Sequence, residues 1–380
     1  MSALRDEARR FALLAAPRVH AAASEDDGAR RALQALADEG LLAWTIPARD
    51  GGRRDERAGA DTVCVQALCE LRAGLAYGSG MLDVMFVEQG LGSFPVALGG
   101  APELRASFLP DVAAGKQVAA FALTEDGAGS SLAEVAMRAE PVDGGWRLNG
   151  AKTFISNAGL AHAYSVLART GGAPGDRDGL SMFHLPATAR GVEVKRFEVM
   201  APHPIGEVVL HDVVVPREHL LGAEGGGLEL ALATLGRFRT SVAAAATGFG
   251  RRARDESLRR LGAREQFGRR LSSFQGLRFD VAEMDCRLRA AELLVDEAAR
   301  AVDAGEAATR EVARAKLYAT ETASWVCDRG VQHFGGLGVK RGEVVERLFR
   351  EVRALRIYEG TSEVQKLILA KELFRRARSD

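Results

Sequence analysis

The sequence predicts a mainly α-helical fold with a β domain in the middle of the chain. Apolar residues recur at helical spacing up to about residue 117 and again from about residue 229, but they alternate with period two between these limits. Alanine is plentiful and aromatic residues are only 6% of the chain, which favours helix. At 380 residues the chain is too long for one ordinary core. We therefore expect three domains: an N-terminal helical domain over 1–117, a β domain over 118–228 and a helical bundle over 229–380.

The N-terminal third shows helical patterns throughout. The stretch ARRALQALADEGLLAW (29–44) repeats apolar residues at helical spacing. RRFALLAAPRVHAAA (9–23) has the twin arginines and apolar run of a short signal peptide, but that run ends at Pro17 and Asp6 would interrupt a basic leader. Because Leu4, Ala8, Phe11 and Ala15 share one helical face, an amphipathic first helix is predicted instead.

The middle of the chain predicts short strands. VAAFALT, WRLNGAKTFIS, AYSVLAR, LSMFHLP and GEVVLHDVVVP follow one another between residues 118 and 216. The pair Asn149-Gly150 is a strong hairpin-turn signal. A small antiparallel barrel or sandwich follows from this spacing. The order helix, strand, helix argues against alternating βαβ units and hence against a Rossmann domain.

Helix returns after the glycine-rich stretch GAEGGG (222–227), which we interpret as a linker. SLRRLGAREQFG, FQGLRFDVAEMDCRLRAAELLVDEAARAVDAG and TREVARAKLYATETASWVCDRGVQHFGG are amphipathic and are separated by short breaks. Such a series predicts an antiparallel four-helix bundle.

Composition excludes several classes of partner. Lys plus Arg equals Asp plus Glu at 51 each, so the net charge gives no indication of a nucleic-acid partner. The four cysteines form no C-x-x-C pair and the seven histidines are scattered, so we expect no metal site and free thiols in a reducing cytoplasm. No apolar run approaches the roughly 18 residues of a membrane span, so no membrane insertion is expected.

The segment IYEGTSEVQ (357–365) places an acid where helical rules disfavour one. Residues 343–356 have helical periodicity, Gly360 is a natural helix stop, and Ser362 with Gln365 has the spacing of a capping box for a further helix. Glu359 therefore falls at a predicted helix C-terminus, where the macrodipole disfavours negative charge by about 0.3–1 kcal/mol. Its presence calls for a functional explanation.

Other motifs have ordinary interpretations when taken singly. LTEDGAGSS (123–131) follows a strand and could approach a ring or phosphate closely, but it lacks the G-x-G-x-x-G pattern and could be a glycine turn. HFGGLG (333–338) could face a ligand or terminate a helix. REQFGRRL (264–271) sets cations beside an aromatic residue, although most helical arginines are simply solvated.

Six stretches occur together in a specific order: AFALTEDGAGSS, LNGAKTFISNAG, LHDVVVP, REQFGRRLSSFQGLRFDVAEM, VQHFGGLG and RALRIYEGTSEVQKLILAKEL. Between residues 119 and 373 the chain thereby resembles the acyl-CoA dehydrogenase family of flavoproteins. The resemblance implies the same three domains, FAD as cofactor, an acyl-CoA substrate, an electron-transfer flavoprotein as electron acceptor, and a homotetramer built as a dimer of dimers.

The resemblance also assigns binding residues by position. It implies isoalloxazine contacts from two segments of the β domain: Phe121, Leu123, Thr124, Gly129 and Ser130, and then Phe154, Ile155 and Ser156. The rest of FAD would be met by Arg264, Phe267 and Gln275 of a neighbouring subunit and by Gln332, Phe334, Gly335, Gly336, Thr361 and Glu363. The implied substrate contacts are Ser130, Arg239 and Gly360.

The same resemblance implies that Glu359 is the catalytic base. It would take the α-proton of an acyl-CoA thioester while hydride leaves the β-carbon for flavin N5, giving a trans-2-enoyl-CoA. The family polarises the thioester carbonyl with the backbone N–H of this glutamate and a ribityl hydroxyl of FAD. Some members carry the base on a bundle helix instead, and Phe238 occupies that position here.

Four departures from the family pattern make the substrate uncertain. Asp126 replaces the usual proline and Ser131 the usual aspartate of the first motif, Phe154 stands where tryptophan is common, and Gly236 where an aspartate is frequent. The alternatives are an acyl-CoA oxidase or a flavin monooxygenase on the same fold, and a non-catalytic flavin-binding interaction protein. Reoxidation by air distinguishes an oxidase, and a flavin that no acyl-CoA bleaches would indicate the non-catalytic protein.

Overall fold

The computed structural model describes residues 2–377 and divides them into two compact units. We call residues 2–16, 65–83 and 239–377 the bundle unit, and residues 17–64 and 84–238 the sheet unit. The three domain boundaries predicted from the sequence stay predictions, because a division by contacts groups distant segments of the chain.

The α-helices in chain order are α1 (Ala3–His20), α2 (Glu25–Asp38), α3 (Val65–Gly78), α4 (Gly80–Gly99), α5 (Pro102–Ala113), α6 (Gly227–Ala263), α7 (Gln275–Asp303), α8 (Thr309–Phe334), α9 (Val344–Arg353) and α10 (Ser362–Arg376). The strands are β1 (Ala119–Ala122), β2 (Arg138–Val142), β3 (Gly145–Ser156), β4 (Ala163–Arg169), β5 (Leu180–Pro186), β6 (Val192–Arg196), β7 (Ile205–Pro216), β8 (Leu220–Leu221), β9 (Glu265–Gln266) and β10 (Arg269–Arg270). The predicted order of helices, strands and helices is confirmed.

Small residues let the helices of the bundle unit approach closely. Residues 243–246 of α6 are alanines and all are buried. A Cβ added to Gly248 of the same helix would lie 2.4 Å from the Ala73 carbonyl oxygen of α3. A Cβ on Gly74 of α3 would lie 2.6 Å from the Arg5 carbonyl oxygen of α1. The bundle unit is thus packed backbone against backbone at these crossings, which leaves little freedom for the helices to shift.

The sheet unit is built around one mostly antiparallel sheet. In the described part of the chain its strand order is β6-β7-β3-β2-β4-β5-β8, and β1 pairs with β4. The pairings of β4 with β1 and with β2 are parallel, which the periodicity did not indicate. β4 is buried along its whole length and β5 nearly so, as expected for strands covered on both faces.

The hairpin predicted at Asn149-Gly150 is wrong. Both residues lie inside β3, where the pairing with β7 shifts register between Leu148 and Gly150. The Asn149 amide donates to Asp212 Oδ1 at 3.0 Å and its oxygen accepts from the Asp212 amide at 2.8 Å. The signal therefore marks a β-bulge, which also favours glycine, and β2 joins β3 through Gly144 at φ +75°.

Two further local expectations can be compared with the structure. The first helix is formed as predicted, but its buried residues are Ala8, Ala12 and Ala16, while Leu4, Phe11 and Ala15 of the predicted face are only half-buried. The helical pattern of SLRRLGAREQFG, by contrast, ends early: α6 stops at Ala263 and β9 pairs with β10 in a short hairpin. Phe267 and Gly268 at its tip both have positive φ, as a primed hairpin turn requires.

No helix within residues 2–377 is long and apolar enough to cross a membrane. The four cysteines all lie within these residues, and none of them forms a disulfide there.

Candidate active site

Glu359 lies in a turn between two helices of the bundle unit. After α9 a short 3₁₀ segment (Ala354–Arg356) precedes the turn, in which Glu359 has φ +51° and Gly360 has φ +93°. The next helix is capped by Thr361, whose hydroxyl accepts from the Val364 amide at 3.2 Å. The predicted cap at Ser362 is therefore displaced by one residue. Glu359 follows one helix and immediately precedes the capped start of another.

Two cationic side chains, the half-buried Arg239 and the buried Lys316, bind the backbone of this turn. Arg239 of α6 donates from Nε to the Glu359 carbonyl oxygen at 2.8 Å. Lys316 of α8 donates from Nζ to the carbonyl oxygens of Tyr358 at 2.9 Å and Gly360 at 2.6 Å. Three consecutive carbonyl groups of the turn are thus held by two cationic side chains.

A buried ion pair lies next to the turn. Arg72 of α3 and Asp83 of α4 have side chains only 0% and 1% exposed, and two guanidinium N–H groups donate to the two carboxylate oxygens at 2.7 and 2.8 Å. Arg72 also donates to Ser241 Oγ at 3.0 Å and to the Tyr358 side chain. Burial alone would lower the Arg72 pKa, but the adjacent Asp83 carboxylate outweighs this effect and raises the pKa above its ordinary value. Arg72 therefore stays charged.

The carboxyl group of Glu359 is desolvated and partly unsatisfied. Burial raises its pKa, Asp83 raises it further, and the charges of Arg72, Arg239 and Lys316 act against the shift. Among residues 2–377 no group hydrogen-bonds its buried Oε2. A carboxylate with a raised pKa and a free oxygen can accept a proton from a bound ligand.

In the sheet unit, the two segments predicted to contact a flavin ring are joined to each other. The Thr153 amide donates to the Thr124 carbonyl oxygen at 2.9 Å. Lys152, fully buried, donates to the Leu123 carbonyl oxygen at 3.0 Å and to Glu125 Oε1 at 2.7 Å. Burial lowers the Lys152 pKa to about 8, against the effect of Glu125. The structure therefore brings LTEDGAGSS and the end of β3 together.

Phe154 is presented on a distortion of β3. The β3–β7 register shifts between Lys152 and Ile155, and Phe154 has φ +54° with 60% of its surface exposed. Its ring packs edge-on against Phe197 at 5.2 Å, whereas Ile155 is buried. Phe121 on β1 is half-buried. An exposed aromatic ring on a strained backbone is suited to contact a planar ligand.

Ser156, the last predicted contact of this segment, has an unexpected partner. Its hydroxyl lies 2.8 Å from His203 Nε2. Burial lowers the His203 pKa to about 4, with a further contribution from Arg196, so the ring is neutral at neutral pH. His203 lies between Pro202 and Pro204.

The remaining predicted FAD contacts lie in the bundle unit and form three groups along the chain. Arg264, Phe267 and Gln275 surround the β9–β10 hairpin and the start of α7, and all three are exposed, Phe267 by 91%. Gln332, Phe334, Gly335 and Gly336 follow the end of α8, where the Arg260 guanidinium lies 5.6 Å from the Phe334 ring centre. Thr361 and Glu363 begin α10, and Glu363 has its pKa lowered by backbone and Thr361 hydrogen bonds.

These residues fit FAD. A Cβ added to Gly129, Gly335 or Gly336 would meet nothing within 4 Å, so open space adjoins each predicted glycine contact. Gly129 has no side chain and Ser130 a small one, and both are exposed in the segment that bonds to the end of β3. Arg264 offers an exposed guanidinium that suits a pyrophosphate. Each unit thus carries surfaces of the kind that a flavin dinucleotide requires.

Sequence reasoning missed the buried charges around Glu359. Lys316 lies on the apolar face of α8 with Val312, Ala319 and Ala323, and Arg72 lies in α3, which is buried almost throughout. A charged residue within an apolar helical face is a usable signal, since such residues are almost never buried without a partner. What the sequence could not indicate was that the partner of Lys316 is the Glu359 turn.

The fold and these features define a flavoprotein oxidoreductase. Models of the acyl-CoA dehydrogenase N-terminal, middle and C-terminal domains match residues 1–116, 120–213 and 225–374 respectively. The chain therefore belongs to the acyl-CoA dehydrogenase family, which is FAD-dependent.

Relatives and solved structures agree with this assignment. A 3-(aryl)acrylate reductase of Clostridium sporogenes is 34% identical over 344 residues, covering 90% of this chain and 89% of the relative. The caffeyl-CoA reductase-Etf complex subunit CarC of Acetobacterium woodii is 33% identical over 352 residues, covering 90% and 89%. The structure of butyryl-CoA dehydrogenase from Megasphaera elsdenii matches with a TM-score of 0.89 and 29% identity over 98% of this chain and 99% of that one.

Proposed function

We propose that the protein catalyses the FAD-dependent α,β-dehydrogenation of an acyl-CoA thioester to a trans-2-enoyl-CoA, with Glu359 as the base. The observation that carries this proposal is the desolvated Glu359 carboxyl group. Its Oε2 accepts no hydrogen bond from residues 2–377, and it sits on a turn whose backbone is bound by the cations Arg239 and Lys316. The family membership supplies the reaction class.

The chain's own residues then have separate roles. Glu359 removes the α-proton, and its desolvation makes the carboxylate a stronger base than a solvated one. Its backbone N–H would stabilise the charge that develops on the thioester oxygen. Arg239 has its Nε committed to the Glu359 carbonyl oxygen, so its role in holding the substrate would use its other N–H groups. Ser130 and Gly360 are the further proposed substrate contacts.

In the sheet unit, the proposed FAD contacts are the two joined segments. In the bundle unit, they are the α8 end and the α10 start. The Arg264–Gln275 region would contribute its contacts from a second copy. When bound, FAD supplies the acceptor for the β-hydride. The exposed Phe154 and the half-buried Phe121 would flank its ring, while Phe267, 91% exposed in one chain, would be covered in an assembly.

An electron-transfer flavoprotein is the proposed electron acceptor, and a homotetramer the proposed assembly. The name of the Acetobacterium woodii relative, 33% identical, places that protein in a complex with Etf. Acyl-CoA catabolism in the cytoplasm is the proposed setting.

Anaerobic titration of the flavin-loaded protein tests the reaction. Straight, branched and cyclic acyl-CoAs are added in turn, and flavin bleaching is followed near 450 nm, an approximate position of the cofactor's own absorbance. Bleaching by at least one acyl-CoA is expected. If none bleaches the flavin, the non-catalytic alternative is favoured. Rapid reoxidation by air after bleaching would favour the oxidase alternative.

The substitution Glu359→Gln tests the base. It keeps the shape of the side chain but removes the proton acceptor, so we expect FAD binding to be unchanged and the rate of flavin reduction to fall by about 10²–10⁴-fold. Stopped-flow bleaching measures that rate. Glu283→Gln on α7 removes a half-exposed carboxylate and serves as the control. Reduction of the Glu359 variant at the wild-type rate would place the base elsewhere.

A second candidate is the reverse reaction, reduction of a 2-enoyl thioester. It is favoured by the two relatives named as reductases at 34% and 33% identity. Glu359 would then return a proton to the α-carbon, as reversibility requires. Comparing the flavin's oxidation by enoyl-CoAs with its reduction by acyl-CoAs decides the favoured direction.

A further inference from the structure

Lys316 is a buried lysine whose described hydrogen-bond acceptors all lie in the Glu359 turn. Its side chain is 0% exposed and lies on the apolar face of α8. Nζ donates to the carbonyl oxygens immediately before and after Glu359, at 2.9 Å to Tyr358 and 2.6 Å to Gly360. An ammonium group is costly to bury, and a packing role alone would be served better by leucine or methionine.

The bonds from Lys316 have a conformational consequence. Glu359 and Gly360 both have positive φ, which a glutamate adopts only when its surroundings impose it. With Arg239 bound to the intervening carbonyl, each carbonyl oxygen from 358 to 360 faces a cation. Rotation of any of these peptides would break one of the bonds, so the positive φ is held in place.

A second side chain of α8 binds residues on both sides of the turn. Glu321, about one turn beyond Lys316 on α8, accepts from Arg356 Nε at 2.8 Å and from Ser362 Oγ at 2.6 Å. Arg356 precedes the turn and Ser362 follows it. The α8 helix is therefore the support for the whole segment that carries Glu359.

We propose that Lys316 is a positioning residue for Glu359, fixing the turn so that the carboxylate meets the substrate in a productive orientation. This inference rests on the proposed role of Glu359 as base. Lys316 touches the backbone of the turn and takes no proton from the substrate.

Charge provides a second signature of this role. Burial lowers the Lys316 pKa to about 8, while Glu359, Glu321 and Glu363 favour its charged form and Arg239 disfavours it. Glu359 in turn faces Arg72, Arg239, Lys316 and Asp83, and Lys316 is one of the charges that lower its pKa. Removal of the ammonium should therefore raise the Glu359 pKa.

The test compares Lys316→Met, Lys316→Arg and the control Thr320→Val in the flavin-loaded protein. Thr320 is fully buried on α8, but its hydroxyl donates only to the carbonyl oxygens of Lys316 and Leu317 of the same helix. Amide hydrogen exchange is followed in a peptide covering 355–362, where the Ile357 and Tyr358 amides both donate to the Ala354 carbonyl oxygen. The pH profile of kcat/KM with an acyl-CoA is measured in parallel.

For Lys316→Met we expect at least tenfold faster exchange of these amides, a fall of roughly 10–100-fold in kcat with a smaller change in KM, and a shift of the acidic limb to higher pH. Lys316→Arg should bring that limb back towards wild type, and Thr320→Val should change neither measurement. Unchanged exchange in Lys316→Met, or equal effects in Thr320→Val, would overturn the proposal. If the wild-type protein turns over no acyl-CoA, the proposed function fails, and the exchange result alone decides whether Lys316 fixes the turn.

Discussion

Positive φ at non-glycine residues coincides with the candidate site. Among residues 2–377, the non-glycine residues with positive φ are Phe154, Asn157, Asp212, Phe267 and Glu359. Three of them were singled out from the sequence as base or cofactor contacts. Each such conformation costs on the order of 1–3 kcal/mol and persists where surrounding contacts impose it, which is common at functional sites. The hairpin turn accounts for Phe267, whereas Phe154 and Glu359 lie at a strand distortion and in an interhelical turn, where positive φ is a feature consistent with their predicted roles.

His184 should make stability depend on pH. It is buried in the sheet unit, with its ring 4.9 Å from Phe108 and 5.1 Å from His219, and burial lowers its pKa from 6.5 to about 4. Between these values the unfolded chain binds more protons than the folded one, so stability rises with pH through this window and is lost on acidification.

The substitution His184→Phe removes this titration and keeps an aromatic ring in contact with Phe108. We expect the loss of unfolding free energy from pH 7.5 to pH 4.5 to shrink by about 2–3 kcal/mol, measured by urea denaturation at both values. His203 and His219, whose pKa values burial also lowers, account for part of the dependence that remains. An unchanged difference between the two pH values would contradict the assignment.

At the scale of elements, the crossing of α6 and α3 depends on one glycine. Gly248→Ala would place a Cβ 2.4 Å from the Ala73 carbonyl oxygen, and backbone must move to admit it. The higher helix propensity of alanine offsets part of the strain. We therefore expect the free energy of unfolding to fall by about 1–2 kcal/mol, seen as a lower urea midpoint.

The control for this prediction lies on the same helix. A Cβ on Gly262 meets nothing within 4 Å. Gly262→Ala should therefore leave stability unchanged or raise it by up to about 1 kcal/mol. Equal losses in the two variants would mean that the close approach at Gly248 does not determine the packing of α6.

At the scale of the whole molecule, the bundle unit exposes large apolar side chains. Leu367 and Phe374, one heptad apart on α10, are each 70% exposed, and Phe267 is 91% exposed. Single exposed apolar residues are ordinary, but an apolar stripe on a terminal helix is typical of a contact with another chain. These side chains support the proposed assembly of identical subunits.

Replacing both stripe residues should weaken that assembly. We expect the wild-type protein to have a solution mass that is a multiple of 40.6 kDa, and the double variant Leu367→Glu, Phe374→Glu to give a smaller species. Light scattering after size-exclusion chromatography measures both. Leu14→Glu alters an 82% exposed leucine of α1 and should leave the mass unchanged. A monomeric wild-type protein would refute the proposed tetramer.

Sequence patterns sufficed for the order of elements and for the position of Glu359 between two helices, because periodicity and turn residues are local properties. They failed where the decisive contact is distant. The Asn149-Gly150 signal was assigned to a turn because the partner that makes it a bulge, Asp212, lies on another strand. Likewise Arg72 and Lys316 are far from Glu359 along the chain, and only folding brings them to its turn.

The bonds to the Glu359 turn are made to main-chain carbonyl groups, which every amino acid possesses. These hydrogen bonds therefore do not depend on which side chain projects from position 359, provided that it tolerates positive φ. During divergence, a single codon change there could abolish or alter proton transfer without dismantling the fold. Lys316 and Arg239 could then persist in descendants that have no acid at this position, and their contacts with the turn would indicate an ancestor with the proposed base.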